Sequence, residues 1–121
     1  MFNFEKLEVW KKAVELADLV YALTRLFPET ERFGLTSQMR RAAVSISSNI
    51  AEGSSRSSKP DFCRFVEVAV GSIYEVVTQA TIANRQKLIS PENYSRLCAA
   101  CEEQSKMLSG LRRSLISKST S

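Results

Sequence analysis

The feature that most restricts this chain is the spacing of its apolar residues. They recur in steps of three and four along four stretches and never alternate over more than a few positions. Such steps align side chains on one face of an α-helix, whereas a half-buried strand needs a period of two. Gly occurs four times and Pro three times, mostly where those stretches would have to stop.

The first predicted helix covers about residues 7–27. Leu7, Trp10, Val14, Ala17, Tyr21 and Thr24 form one seam, and Ala13, Leu16, Val20, Leu23 and Phe27 form a second beside it. Val9, Leu19 and Leu26 widen the apolar surface, and Pro28 forces Phe27 out of helical geometry. The second helix covers about 35–52, between Gly34 and Gly53, with Leu35, Met39, Ala42, Ile46 and Ile50 as its stripe and Ala43 at the margin. A Gly- and Ser-rich loop, Gly53-Ser54-Ser55-Arg56-Ser57-Ser58, follows. The third helix covers about 59–87, opened by Ser58 as cap, Pro60 in the first turn and Asp61. Its stripe is Phe62, Val66, Ala69, Ile73, Val76, Ala80 and Ala83. The fourth opens on Ser90-Pro91-Glu92, with Tyr94, Leu97, Cys101, Gln104, Leu108, Leu111 and Leu115 facing inward. Gly110 weakens its last turns by about 1 kcal/mol against Ala.

Four such helices with short connections predict an all-α, antiparallel up-down-up-down four-helix bundle. Residues 1–116 make one domain and residues 117–121 a frayed tail. At 121 residues, 44% hydrophobic and 25% charged, the chain is long and apolar enough for a core, which excludes wholesale disorder. No run approaches a bilayer span of ~18 apolar residues, and charges interrupt the amino-terminal region where a signal peptide would be unbroken. The expectation is therefore no membrane partner. Three cysteines, an odd number, suit reduced thiols in a cytoplasm.

Two faces exceed what a single bundle needs. Opposite the core stripe of the third helix lie Val68, Gly71, Glu75, Thr78 and Ile82, small or apolar residues around one carboxylate. Scattered exposed apolar residues are ordinary; a continuous row is what a partner subunit covers, and these residues are the candidate oligomer interface. On the second helix Gln38, Arg41, Ser45, Asn49, Glu52 and Arg56 form a polar row about 110° from the apolar stripe. That row is either a solvated face or a hydrogen-bonded seam, in which case Arg41 needs Glu52 or Glu75 as its carboxylate.

Catalytic chemistry has little to work with. The chain has no histidine, which removes Ser–His and Cys–His nucleophiles and histidine metal ligands. Cys98-Ala99-Ala100-Cys101 lies two turns inside the fourth helix rather than at a helix start, and Cys63 only brings the thiols to three. Core packing accounts for them better than redox or metal chemistry. Neither a cofactor nor a metal is expected, and the chain is read as a non-enzyme. The net charge of +4 is uneven: residues 1–35 carry −1, residues 36–64 carry +3 and residues 91–121 carry +2. Arg40, Arg41, Arg56, Lys59 and Arg64 lead one basic cluster, and Arg112, Arg113 and Lys118 lead another. All of these but Lys118 are the candidate nucleic-acid-binding residues; the plainer alternative is a solvated basic face on a protein-binding scaffold.

Phe33-Gly34-Leu35-Thr36-Ser37-Gln38, Arg40-Arg41-Ala42-Ala43, Ser45-Ile46, and Asn49-Ile50-Ala51-Glu52-Gly53 with Arg56 resemble the signature of the 23S ribosomal RNA intervening-sequence protein family. Leu7, Val9, Trp10 and Ala13, Leu23-Thr24 with Phe27-Pro28, and Gly71-Ser72 with Glu75, Thr78-Gln79 and Ile82-Ala83 resemble its flanking motifs. The match is close over residues 4–89 and loose over the fourth helix. The resemblance implies a bacterial four-helix bundle assembled into a homo-oligomeric, pentameric barrel. It also implies that Gln38, Arg41, Asn49, Glu52, Gly53, Arg56 and Glu75 hold the bundle and its interfaces. A similar protein type, the accessory variability determinant of diversity-generating retroelements, implies rRNA or other nucleic acid and a reverse transcriptase as partners.

Overall fold

The computed structural model describes the backbone of residues 1–119 and the side chains through Ile116. A short 3-10 turn at Asn3–Lys6 leads into α1 (Glu8–Thr24), and a second at Glu29–Glu31 precedes α2 (Leu35–Ser54). Two long helices, α3 (Lys59–Arg85) and α4 (Pro91–Ser119), complete the chain, with no strand among the described residues. The helical backbone therefore overlaps the start of the tail expected at 117–121. Lys118's side chain and residues 120–121 lie outside the described residues.

Each helix packs on its two neighbours. α1 lies against α2 and α4, α3 lies against α2 and α4, and the two diagonal pairs make no close backbone approach among the described residues. This is the four-helix bundle that short connections between successive helices dictate. The core stripes of α2, α3 and α4 fall as their spacing predicts, with Met39, Ile46, Ile50, Val66, Ile73, Val76, Leu97 and Leu108 among the buried residues. Of the two seams on α1, the one built on Ala13, Leu16, Val20 and Leu23 is buried. Leu7, Trp10, Val14 and Ala17 are only half-buried, and Tyr21 is exposed. Periodicity places both seams on adjacent faces of one helix, so only the neighbours could choose between them.

Helix ends follow local chemistry. Ser58 caps α3 by accepting a hydrogen bond from the Asp61 amide at 3.2 Å, and Ser90 does the same for α4 through the Asn93 amide at 3.1 Å. α1 stops at Thr24, three residues before the expected end. Its last turn tightens through Leu26 N–H to Leu23 O and Phe27 N–H to Thr24 O, which tucks Phe27 back into the core. α3 stops at Arg85 because Lys87 takes the left-handed conformation, φ 61°. Leu88 N–H then reaches Ala83 O at 2.9 Å, satisfying a carbonyl the helix end would leave open.

Gly53 corrects a sequence expectation. It does not end α2 but lies buried in its last turn, where α2 crosses α3. A Cβ there would stand 2.7 Å from Phe65 Cβ and 3.0 Å from Phe62 Cδ1, so the hydrogen side chain permits the close approach. α3 corrects another: by length and composition it is apolar enough to cross a membrane, yet only 33% of its most apolar stretch is buried in the bundle. Charges at Glu67 and Glu75 break the run without making the helix polar. The same statistic describes a helix whose outward face has no neighbour within one chain.

Candidate nucleic-acid interface

The carboxyl end of α1, the connection after it and the first turns of α2 enclose an open groove of about 600 Å³. Tyr21, Arg32, Phe33, Thr36, Ser37, Arg40, Arg41, Val44 and Ser45 line it, and none of these is acidic. The sequence builds it from the α2 register. Met39, Ala42 and Ala43 face the core, which leaves Arg40 and Arg41 to project beside α1 and to solvent.

Arg40 is held in place. Its guanidinium lies 4.6 Å over the Tyr21 ring, and its Nε donates to Thr24 Oγ1 at 2.9 Å. The Thr24 hydroxyl in turn donates to Val20 O at 2.7 Å, so a buried hydroxyl anchors the arginine to the α1 backbone. Arg41 is exposed and forms no ion pair among the described residues. Arg32 sits 5.0 Å over the Phe33 ring and pairs at 3.5 Å with Glu29, a contact in solvent that contributes little. Phe33 itself is 85% exposed. Guanidinium groups fixed beside aromatic rings in a groove without carboxylates suit phosphate and base contacts.

The fold re-sorts the basic residues grouped in the sequence. Arg40 and Arg56 lie about 24 Å apart along α2 at 1.5 Å per residue, so the cluster from Arg40 to Arg64 is divided between the two ends of the bundle. At the far end, Lys59, Arg64 and Arg112 meet around a hollow of about 300 Å³ that also contains Glu67. There Arg64 pairs with Asp61 at 3.4 Å and Arg112 with Glu67 at 3.2 Å. Arg56 packs 4.7 Å over the Phe65 ring, and Arg113 is exposed nearby on α4. The far end thus carries two carboxylates among its cations, whereas the lining of the α1–α2 groove holds no acidic residue and, of its three arginines, only Arg32 forms an ion pair among the described residues. Sequence reasoning missed Tyr21, Arg32 and Phe33 as members of this groove. Their only signal was an Arg-Phe pair just before a predicted helix, masked by the acidic balance of residues 1–35.

The polar row on α2 is only partly a seam. Asn49 Nδ2 donates to Ser45 O at 2.8 Å and Ser45 Oγ at 3.0 Å, and Ser72 Oγ on α3 donates to Ser45 Oγ at 2.9 Å. Gln38, Arg41, Glu52 and Arg56 are exposed, and Arg41 meets neither Glu52 nor Glu75 as an ion pair within one chain. On the outward face of α3, Val68 is 53% and Ile82 46% exposed, with Tyr74 at 64% between them. Gly71, Glu75 and Thr78 are exposed beside them. The thiols of the CxxC differ: Cys98 is half-buried, whereas Cys101 is in the core, and burial pushes its thiol up to about 12. A group so raised stays protonated at neutral pH and is no nucleophile.

Fold and site together define an all-α protein of the four-helix-bundle class with a basic groove whose lining holds no acidic residue. Residues 5–110 match the family model described as 23S rRNA-intervening sequence protein, and the chain belongs to that family. Among solved structures it is similar to a protein with unknown function from the S23 ribosomal protein family of Bacteroides thetaiotaomicron. The identity is 26% and the TM-score 0.78, over 86% of this chain and 97% of that one. A comparison with curated proteins finds no match.

Proposed function

We propose that this protein is a non-catalytic nucleic-acid-binding bundle that acts as a homo-oligomer and holds RNA through the α1–α2 groove. The observation that carries this reading is the meeting of Arg32, Arg40 and Arg41 in one groove with two aromatic rings and no acidic residue in its lining. The outward row on α3 supports assembly, and a ring of five, the arrangement implied by the family resemblance, multiplies the net charge of +4 fivefold. Such a field attracts polyanions and makes their binding steeply salt-dependent.

RNA binding measured across a salt series tests this. Retention is strong at low salt and falls as salt rises. The double variant Arg32→Glu with Arg41→Glu weakens it and flattens the log–log salt slope by about 1.5, since each of the two lost phosphate contacts contributes roughly 0.7 to 0.9. Arg113→Glu, at the far end, leaves it nearly unchanged. Both variants change exposed side chains, so native mass and helicity are retained. Absence of RNA retention by the wild-type protein at low ionic strength would overturn the reading in favour of a protein-binding scaffold.

A further inference from the structure

Resting on the reading that the α1–α2 groove binds nucleic acid, we propose that it takes unpaired nucleotides, with one base stacked on Phe33, and discriminates against regular duplex. A phenylalanine ring offers nothing to a phosphate, yet Phe33 stands 85% exposed at the rim of a groove lined by three arginines. The Arg32 guanidinium lies 5.0 Å over the ring on one side. That arrangement leaves the opposite face of the ring able to stack on a base, and the cation strengthens stacking from behind. Tyr21 has a different part, because it is only 36% exposed and the face it offers carries Arg40. It holds the arginine whose Nε is spent on Thr24, leaving the terminal N–H groups for a phosphate. A groove of about 600 Å³ has the size of a pocket for a nucleotide-sized molecule. Duplex offers it only phosphates, since its base faces are stacked on one another, whereas loops and single strands can splay a base outward.

Fluorescence anisotropy of the full chain at low salt, with an unstructured RNA of about 15 nucleotides and an RNA duplex of equal length, decides the matter. The single strand is expected to bind roughly tenfold tighter or more, and Phe33→Ala to remove roughly tenfold of that affinity. Phe33→Trp restores it, and duplex affinity stays within about twofold throughout. Duplex binding as tight as single-strand binding overturns the inference, as does a Phe33→Ala variant with unchanged single-strand affinity. A change of native mass in Phe33→Ala also overturns it, by making the ring a subunit contact. If wild type binds both RNAs equally and Arg41→Glu weakens both, this inference alone fails; if wild type binds neither, the functional reading fails with it.

Discussion

Burial, with the neighbouring Cys98 adding to it, pushes the Cys101 thiol from an ordinary 9.0 up to about 12. An unfolded chain releases that proton near pH 9, whereas the folded chain keeps it. Between those two values the unfolded state binds fewer protons, so stability falls as pH rises. Denaturation followed from pH 8 to 11 therefore shows a decline that is shallower in Cys101→Ala, which shares every other titrating group; parallel declines would refute this. The same residue shows the limit of motif reading. A CxxC can be found in the sequence, but its place two turns inside a helix argues for packing, and the helical stripe already sets Cys101 rather than Cys98 toward the core, as the fold bears out. Arg40 is the converse case. Its type was legible as basic, but its fixed posture depends on Tyr21 and Thr24, sixteen or more residues away in the chain.

Among elements, α2 and α3 form the most extensive seam, and small residues make it possible. Ser45 and Ser72 touch through their hydroxyls, and Gly53 lets the end of α2 approach Phe62 and Phe65. Gly53→Ala gains helix propensity yet places a methyl group 2.7 Å from a neighbouring Cβ, which forces the helices apart. Overpacking of this kind costs about 1–3 kcal/mol, so the variant should melt lower than wild type in a thermal scan. An unchanged or raised melting temperature would show that the seam yields easily. The caps at Ser58 and Ser90 were readable because capping is local, three residues from donor to acceptor. The role of Gly53 was not, because a glycine at a helix end reads as a terminator until the crossing helix is known.

For the whole molecule, the open question of the sequence is what covers α3. Val68, Tyr74 and Ile82 flank exposed Glu75 on a face that one chain leaves in solvent. If copies of the chain close over that face, Glu75→Lys reverses the charge at the centre of the contact. Light scattering at micromolar concentration should then report a multiple of 13.6 kDa for wild type and a smaller mass for the variant, at unchanged helicity. A variant that keeps the wild-type mass would place the subunit contact elsewhere. The division of the basic residues also belongs to this scale. Antiparallel packing returns α4 to the start of α3, bringing Arg112 to Lys59 and Arg64, and leaves Arg40 and Arg41 at the other end with Arg32.

By itself the amino-acid order determined the helical class, the number of helices, their caps and most of the buried stripes. Those properties follow from neighbours within one or two turns, where apolar period and capping residues act directly. The tertiary structure decided which seam of α1 faces inward, why Gly53 must be glycine, and which arginines share a groove. Each of these is a meeting of residues far apart in the chain, set by how four amphipathic rods turn to hide their apolar faces together. No local spacing records that rotation.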